Sequence, residues 1–355
     1  MTADPHRAYS VALHADWSVQ AAKRWMTIAT RRDRVWSVAA PEPVGAVASL
    51  LERLRGLAAP PGGAIAFGID CPLGLPRAYV ERHPGPADDF RGFLASLAAD
   101  PGYPEASFLQ VCAGLNEVDA TRPFYPARGV RGMSRAAHAA ALGLASAADL
   151  SRRCDRATAT RPAGAPVFWT LGANQSGKAA ISAWRELVLP ELCARPDRLR
   201  LWPFDGTLAA CVATGGDPAG VVTLAETYPA EALDQLGLRL ACAGHPSPGM
   251  RGSKRRQDDR AALGGALLAS LDRVGAAAEP RLRDMALSGF GSDPAGEDRF
   301  DSVAGLLCVL SVLGGFRRDH VPDDAWVRRW EGWVLGQGPG DTGSANAGSL
   351  EAASL

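Results

Sequence analysis

Residues 64–70 read AIAFGID, an unbroken apolar run closed by an acid. A run of this length is the pattern of a strand buried on both faces, which places it inside a sheet covered by helices on either side. Upstream, Pro60, Pro61, Gly62 and Gly63 break the chain. Before that break Val44, Val47, Leu50, Leu51 and Leu54 recur at helical spacing, predicting a helix over 43–57. Farther back, YSVALHADW (9–17), RWMTIAT (24–30) and RVWSVAA (34–40) are apolar runs of strand length, the last two separated by Arg31, Arg32 and Asp33. The opening therefore reads β, β, β, α, β, an α/β fold.

Downstream, the sequence changes character. Between about 77 and 196, helical pieces at 88–99, 133–150 and 177–189 alternate with Pro- and Gly-rich joints. This is expected to be a long, mostly helical insertion on one core, not a second domain. Strands are expected at 199–203 and 220–226 around a helix near 206–213, then helices at 230–236, 254–272 and 298–313. A single domain over 1–335 follows. The tail 336–355, GQGPGDTGSANAGSLEAASL, has almost no large apolar side chain and is expected to be disordered.

The chain has 355 residues, 47% hydrophobic and 21% charged, with 38 Lys+Arg against 38 Asp+Glu. A uniformly basic coat for nucleic acid is excluded, although a local basic patch is not. No run approaches the roughly 18 apolar residues of a membrane-spanning helix, and the N-terminus lacks the order of a signal peptide, so a cytoplasmic protein is expected. The 7 cysteines are scattered without a CxxC pair, and the 6 histidines show no HExxH spacing. A metal would have to be held by carboxylates.

Three carboxylates stand where strands are expected to stop: Asp16 in HADWS, Asp70 in GIDCPLG and Glu226 in AETYP. Ligands gather outside the carboxyl ends of parallel strands, so parallel pairing would bring the three together. A fourth, Asp301, lies in the first turn of the last helix, which is apolar nearly all round after it, the mark of a helix buried in protein. Crowded acids take up protons unless a cation neutralises them, and Mg²⁺ or Mn²⁺ is the natural oxygen-preferring neutraliser. Two such ions would stabilise the attacking and leaving oxygens of a phosphodiester. Asp298, beside the Gly- and Pro-rich GSDPAGE, reads as a cap instead.

HADWS, GIDCPLGLP, AETYPAE, KRRQDDRAA and DRFDSVAGLLCVL, in that order, resemble the predicted RNase H-like nucleases grouped as domain of unknown function 429. The resemblance spans about Val11 to Leu313. It implies an RNase H-like mixed sheet, three antiparallel strands followed by strands parallel to the first, flanked by helices. It implies Asp16 on the first strand, Asp70 at the end of the fourth, Glu226 at the end of the fifth and Asp301 in the final helix as catalytic residues and ligands of Mg²⁺ or Mn²⁺. The implied activity is divalent-metal-dependent phosphodiester hydrolysis.

Residues 172–178 match GxxxxGK, but Ala179 follows where a P-loop needs a hydroxyl for Mg²⁺. The milder reading gives Gly177 and Lys178, after the strand-like PVFWTL and at a helix N-terminus, to a substrate phosphate. Lys254 and Arg256 in RGSKRRQDDR are the other substrate-binding candidates, with Arg260 on the face of Arg256, while Arg152, Arg153, Arg156 and Arg161 read as plain surface. Trp17, Trp169, Trp184, Trp202, Phe204 and Tyr228 are available for core packing or for stacking on bases. Two other readings stay open. One is a catalytically silent RNase H-like module binding nucleotide or nucleic acid. The other is a phosphotransferase of the sugar-kinase and actin type, which would require a second copy of the core.

Overall fold

A computed structural model describes residues 8–58, 62–100, 102–103, 107–129, 131, 133–158, 162–172, 176–213, 217–240, 242 and 252–338. Strands β1 (Tyr9–Asp16), β2 (Trp25–Arg32) and β3 (Val35–Val38) form an antiparallel meander. The β2–β3 turn is Asp33-Arg34, both with positive φ (48° and 72°). That is the left-handed pair a two-residue hairpin needs to match the strand twist, so β2 runs on through Arg31 and Arg32. β4 (Glu42–Pro43) pairs with β2. Pro43 is thereby taken from the helix expected over 43–57, Gly45 (φ 72°) turns the chain, and α1 begins only at Leu50 (Leu50–Ala58).

β5 (Ala64–Ile69) lies parallel to β1. The insertion carries α2 (Arg77–Arg82), α3 (Phe90–Ala98), α4 (Arg135–Ala141), α5 (Ser176–Ala183) and α6 (Leu189–Ala194). α5 and α6 form one continuous rod through a π turn at Trp184–Val188. The widened turn accommodates Pro190, whose ring would collide with the carbonyl four residues back in a regular helix. PVFWTL is a turn and not a strand. After the insertion come β6 (Leu199–Trp202), α7 (Leu208–Ala213), β7 (Val222–Glu226), α8 (Pro229–Gln235) and α9 (Gln257–Arg273). The last elements are β8 (Ala276–Ala278), α10 (Pro280–Leu287) and α11 (Ala295–Leu313). The sheet order is β6-β7-β5-β1-β2-β3-β8, with β5, β7 and β6 parallel to β1 and β8 parallel to β3. This is the expected α/β mixed sheet of antiparallel, then parallel, strands.

The two faces of the sheet differ in side-chain size. Val11, Leu13, Ile65, Phe67, Ile69 and Leu224 point to one face and share a single core with Phe90, Leu94, Phe124 and Trp184 of the insertion. The opposite face is paved with Ala12, Ala29, Ala64, Ala66 and Ala225. Small residues let α11 lie close to the strands. A Cβ on Gly68 would stand 2.7 Å from a methyl of Val309, and one on Gly305 would overlap the His14 ring. This close approach explains why α11 is apolar on every side from Val303 to Val309.

The end of the chain departs from expectation. Trp333, Val334, Leu335 and Gln337 are buried. Arg317 donates to Gly336 O (2.8 Å) and Trp333 Nε1 to Gln337 O (2.9 Å). Disorder therefore does not begin at 336, because backbone carbonyls hold this polar sequence in place. Residues 339–355 lie outside the described residues.

Candidate carboxylate site

β1 and β5 are paired in register through Ala15 and Ile69. The Asp70 amide extends that ladder by donating to Ala15 O (3.1 Å), so Asp16 and Asp70 stand side by side where the two strands end. α11 lies across these strands, fixed by a 2.7 Å hydrogen bond between the Thr27 and Ser302 hydroxyls and by Gly305 on His14. Asp301 precedes Ser302 and faces the strand-ending pair. Because α11 begins at Ala295, Asp301 sits in its second turn. Asp298, one turn earlier and three residues away, shares that face. It is not the helix cap, a position taken by Pro294.

The acids act on one another. Burial, then Asp301, Asp70 and Asp298, push the Asp16 carboxyl well above the ordinary range. Asp70 rises to about 7 through burial and Asp301, and Asp298 to about 6 for the same two reasons. Asp301 is also raised, chiefly by burial, with Lys254 opposing the rise. Asp16 and Asp70 keep a partly exposed edge, and no described residue hydrogen-bonds to either side chain. Asp301 Oδ1 is buried and has no partner among the described residues. Beneath the acids His14 is fully buried, and burial lowers its pKa to about 3.

Among the described residues one ion pair reaches this group. Lys254 Nζ lies 2.5 Å from Asp301 Oδ2. Burial disfavours its charge, but Asp301 and Asp70 hold its pKa above the ordinary value. Its backbone is held by Arg260, a buried guanidinium that donates to the carbonyls of Lys254, Gly289 (2.9 Å) and Gly291 (2.6 Å). The expected cationic stripe through residues 256 and 260 is therefore absent. Arg260 points inward, and Arg256 turns back on Asp259 (Nε to Oδ2 2.7 Å) at the start of α9. Arg256 is thus part of a helix-end clamp, whose carboxylate also takes the Ser253 amide (2.7 Å).

Glu226 ends β7 beside Ile69, yet its carboxylate is engaged elsewhere. Arg152 grips both oxygens (2.6 and 2.7 Å) and the Leu73 amide donates to Oε2 (2.8 Å). Arg152 also binds Asp155 through Nε (3.0 Å) and Nη2 (2.8 Å), and the carbonyls of Leu73 and Glu331. All three charged side chains are fully buried. Arg152, expected at the surface, is fully buried, and Glu226, expected as a metal ligand, has both carboxylate oxygens on its guanidinium. Together they form a desolvated ion pair that ties the PLG turn to β7 and to the C-terminal segment. Gly74 and Gly332 permit that closeness, because a Cβ on either would collide with the carbonyl of the other strand of this crossing, Glu331 O and Leu73 O respectively.

Lys178 lies partly exposed in the first turn of α5. It shares a helix face with Ser182, whose hydroxyl accepts from Trp17 Nε1 (2.9 Å), so α5 is fixed to the residue after Asp16. The Gly177 amide already donates to Trp169 O (3.3 Å) and is not offered to a phosphate. Trp17, Trp169, Trp184 and Trp202 are core residues at 5%, 9%, 0% and 1% exposure, which removes them as stacking platforms.

The donor chemistry suits a hard divalent cation: carboxylates only, with one buried oxygen unsatisfied. Among the described residues, however, no three His, Cys, Asp or Glu side chains are gathered closely enough to enclose an ion. Also among the described residues, no helix is long and apolar enough to cross a membrane. No family model, curated protein or solved structure matches the chain.

Proposed function

We propose that the chain is a divalent-metal-dependent phosphodiester hydrolase with an RNase H-like core, using Asp16, Asp70 and Asp301, with Asp298 as the fourth acid of the group. The observation that carries this reading is the convergence of two adjacent strand ends and a facing helix on one cluster of mutually raised carboxyls, with Asp301 Oδ1 left unsatisfied. The antiparallel opening and the later strands parallel to β1 support the RNase H-like assignment.

Asp16, Asp70 and Asp301 would hold Mg²⁺ or Mn²⁺. When bound, such an ion polarises a phosphoryl oxygen and generates a nucleophile from water. Lys254, whose side chain is 27% exposed, sits at the rim and positions the negative phosphate over the acids. Lys178, on a helix fixed next to Asp16, offers a second charge to a longer substrate such as a nucleic-acid strand. Hydrolysis of bis(p-nitrophenyl) phosphate and of short DNA and RNA strands in Mn²⁺ tests the proposal. Wild-type activity that requires metal and vanishes in Asp16→Ala supports it.

A second reading, a catalytically silent module that binds nucleotide or nucleic acid, is favoured by the Lys254–Asp301 pair, which already supplies a cation to the acids. Calorimetry with Mn²⁺ separates the two. Absence of metal binding by the wild type selects the silent module.

A further inference from the structure

At the end of α11 remote from the acids there is a cavity of ≈ 620 Å³. Arg273, Arg317, Arg318 and His320 line it, and among the described residues no Asp or Glu does. The one acid within that run, Asp319, is turned away and accepts from Trp202 Nε1 and the Leu208 amide. The last carbonyls of α11, which would repel an anion, are already covered. Gly314 donates to Leu310 O, Gly315 to Val312 O, and Phe316 and Arg317 to Ser311 O. Arg317 is fixed by bonds to Gly336 O (2.8 Å) and Gln235 O (3.1 Å). Arg318 is exposed and has no ion-pair partner among the described residues.

A second observation points to a ligand. Gln337 is 1% exposed and lines the cavity, and among the described residues neither its Nε2 nor its Oε1 has a partner. Gln235 Nε2, on the same wall, is also buried and has no partner among the described residues. Buried amides are normally satisfied, so two buried donors and an acceptor without described partners in the wall of one cavity call for a polar partner there. Phe316, 63% exposed, adds an aromatic face.

We propose that this cavity binds a nucleoside monophosphate. Its phosphate is held by Arg317, Arg318 and His320, its base edge by Gln337 and Gln235, and its base face by Phe316. The volume falls within the ordinary range of small-ligand pockets, and base stacking on an exposed aromatic side chain is sequence-tolerant. The proposal is independent of the metal reading.

Calorimetric titration of the full chain with AMP, GMP, CMP, UMP and inorganic phosphate tests it. At least one nucleotide should bind about tenfold or more tightly than inorganic phosphate. Arg318→Glu, an exposed change that leaves the fold intact, should weaken that binding by about tenfold or more. Gln337→Leu should reduce nucleotide affinity to that of phosphate, and Asp16→Asn should leave it unchanged. Failure of every nucleotide to bind, nucleotide no tighter than phosphate, insensitivity to Arg318→Glu, or loss of binding in Asp16→Asn would each overturn the proposal.

Discussion

Glu226 and Asp155 enclose the guanidinium of Arg152, while one strand away Asp16, Asp70 and Asp301 share the ammonium of Lys254. Both groups are built from acids at the carboxyl end of the same sheet, and both are largely withdrawn from water. In the first, every carboxylate oxygen of Glu226 and Asp155 accepts from Arg152, and the cation is held charged against its burial by Asp155 and Glu226. In the second, three acids have one ion pair among the described residues, their carboxyls are driven upward, and the buried Asp301 Oδ1 has no described partner. The contrast separates a closed ion pair, complete within the protein, from an open one that lacks positive charge. The proposed function rests on the open group.

The largest effect should come from breaking the closed group. Arg152→Met removes one partner from a fully buried pair and should destabilise the protein by about 3–5 kcal/mol, equally with chelator and with Mn²⁺, as chemical denaturation would show. A loss that disappears in Mn²⁺ would mean that Glu226 belongs with the open group after all.

Next in size is the pH dependence of the open group. Folded pKa values raised to about 7 (Asp70) and about 6 (Asp298) mean that the folded state holds protons that the unfolded state has released. Stability from these groups is full below the unfolded value near 3.9 and is lost as pH rises through their folded values. Metal-free protein should therefore lose melting temperature from about pH 5 to 8, and Mn²⁺ should flatten that slope by mass action. Asp70→Asn, which keeps the size and removes one charge, should raise metal-free stability at pH 8 by an amount on the order of 1 kcal/mol. An unchanged slope in this variant would contradict the mutual repulsion.

The architecture of the sheet was legible in the chain because its strands carry long apolar side chains on at least one face. β8 was not, since Ala276–Ala278 has no β-branched or aromatic residue and is a strand only because β3 offers it an edge. Of the open group, Asp16 and Asp70 were visible as acids ending apolar runs, and Asp301 as an acid preceding one. Asp298 was visible too, through its three-residue spacing from Asp301, but the neighbouring Gly and Pro made it read as a cap. The closed group was hidden by distance: Arg152 stands 74 residues from Glu226, and nothing local marks a surface-type arginine as buried. Arg260 was concealed in the same way, because its three acceptors are backbone carbonyls.

A smaller effect should follow from Lys254→Met, which removes the ammonium paired with Asp301. Metal-free stability at pH 8 should fall by about 1 kcal/mol, the scale of a partly exposed ion pair, and Mn²⁺ affinity should rise if the ammonium competes with metal for Asp301. Weaker Mn²⁺ binding would show that the lysine supports the metal site. Of the same order is the effect of ending the chain at Leu335 instead of Gly338. Loss of the Gly336 and Gln337 acceptors should cost about 1–2 kcal/mol, read as a lower denaturation midpoint and independent of pH between 5 and 8.

Thermal melts of wild type and Asp301→Asn, each with chelator and with Mn²⁺, test the open group most directly. Mn²⁺ should raise the wild-type melting temperature, Asp301→Asn should be no less stable than wild type in chelator, and the variant should gain little from Mn²⁺. A variant that is less stable than wild type by the same margin with and without metal would show that Asp301 is a structural partner of Lys254 and not part of a metal site.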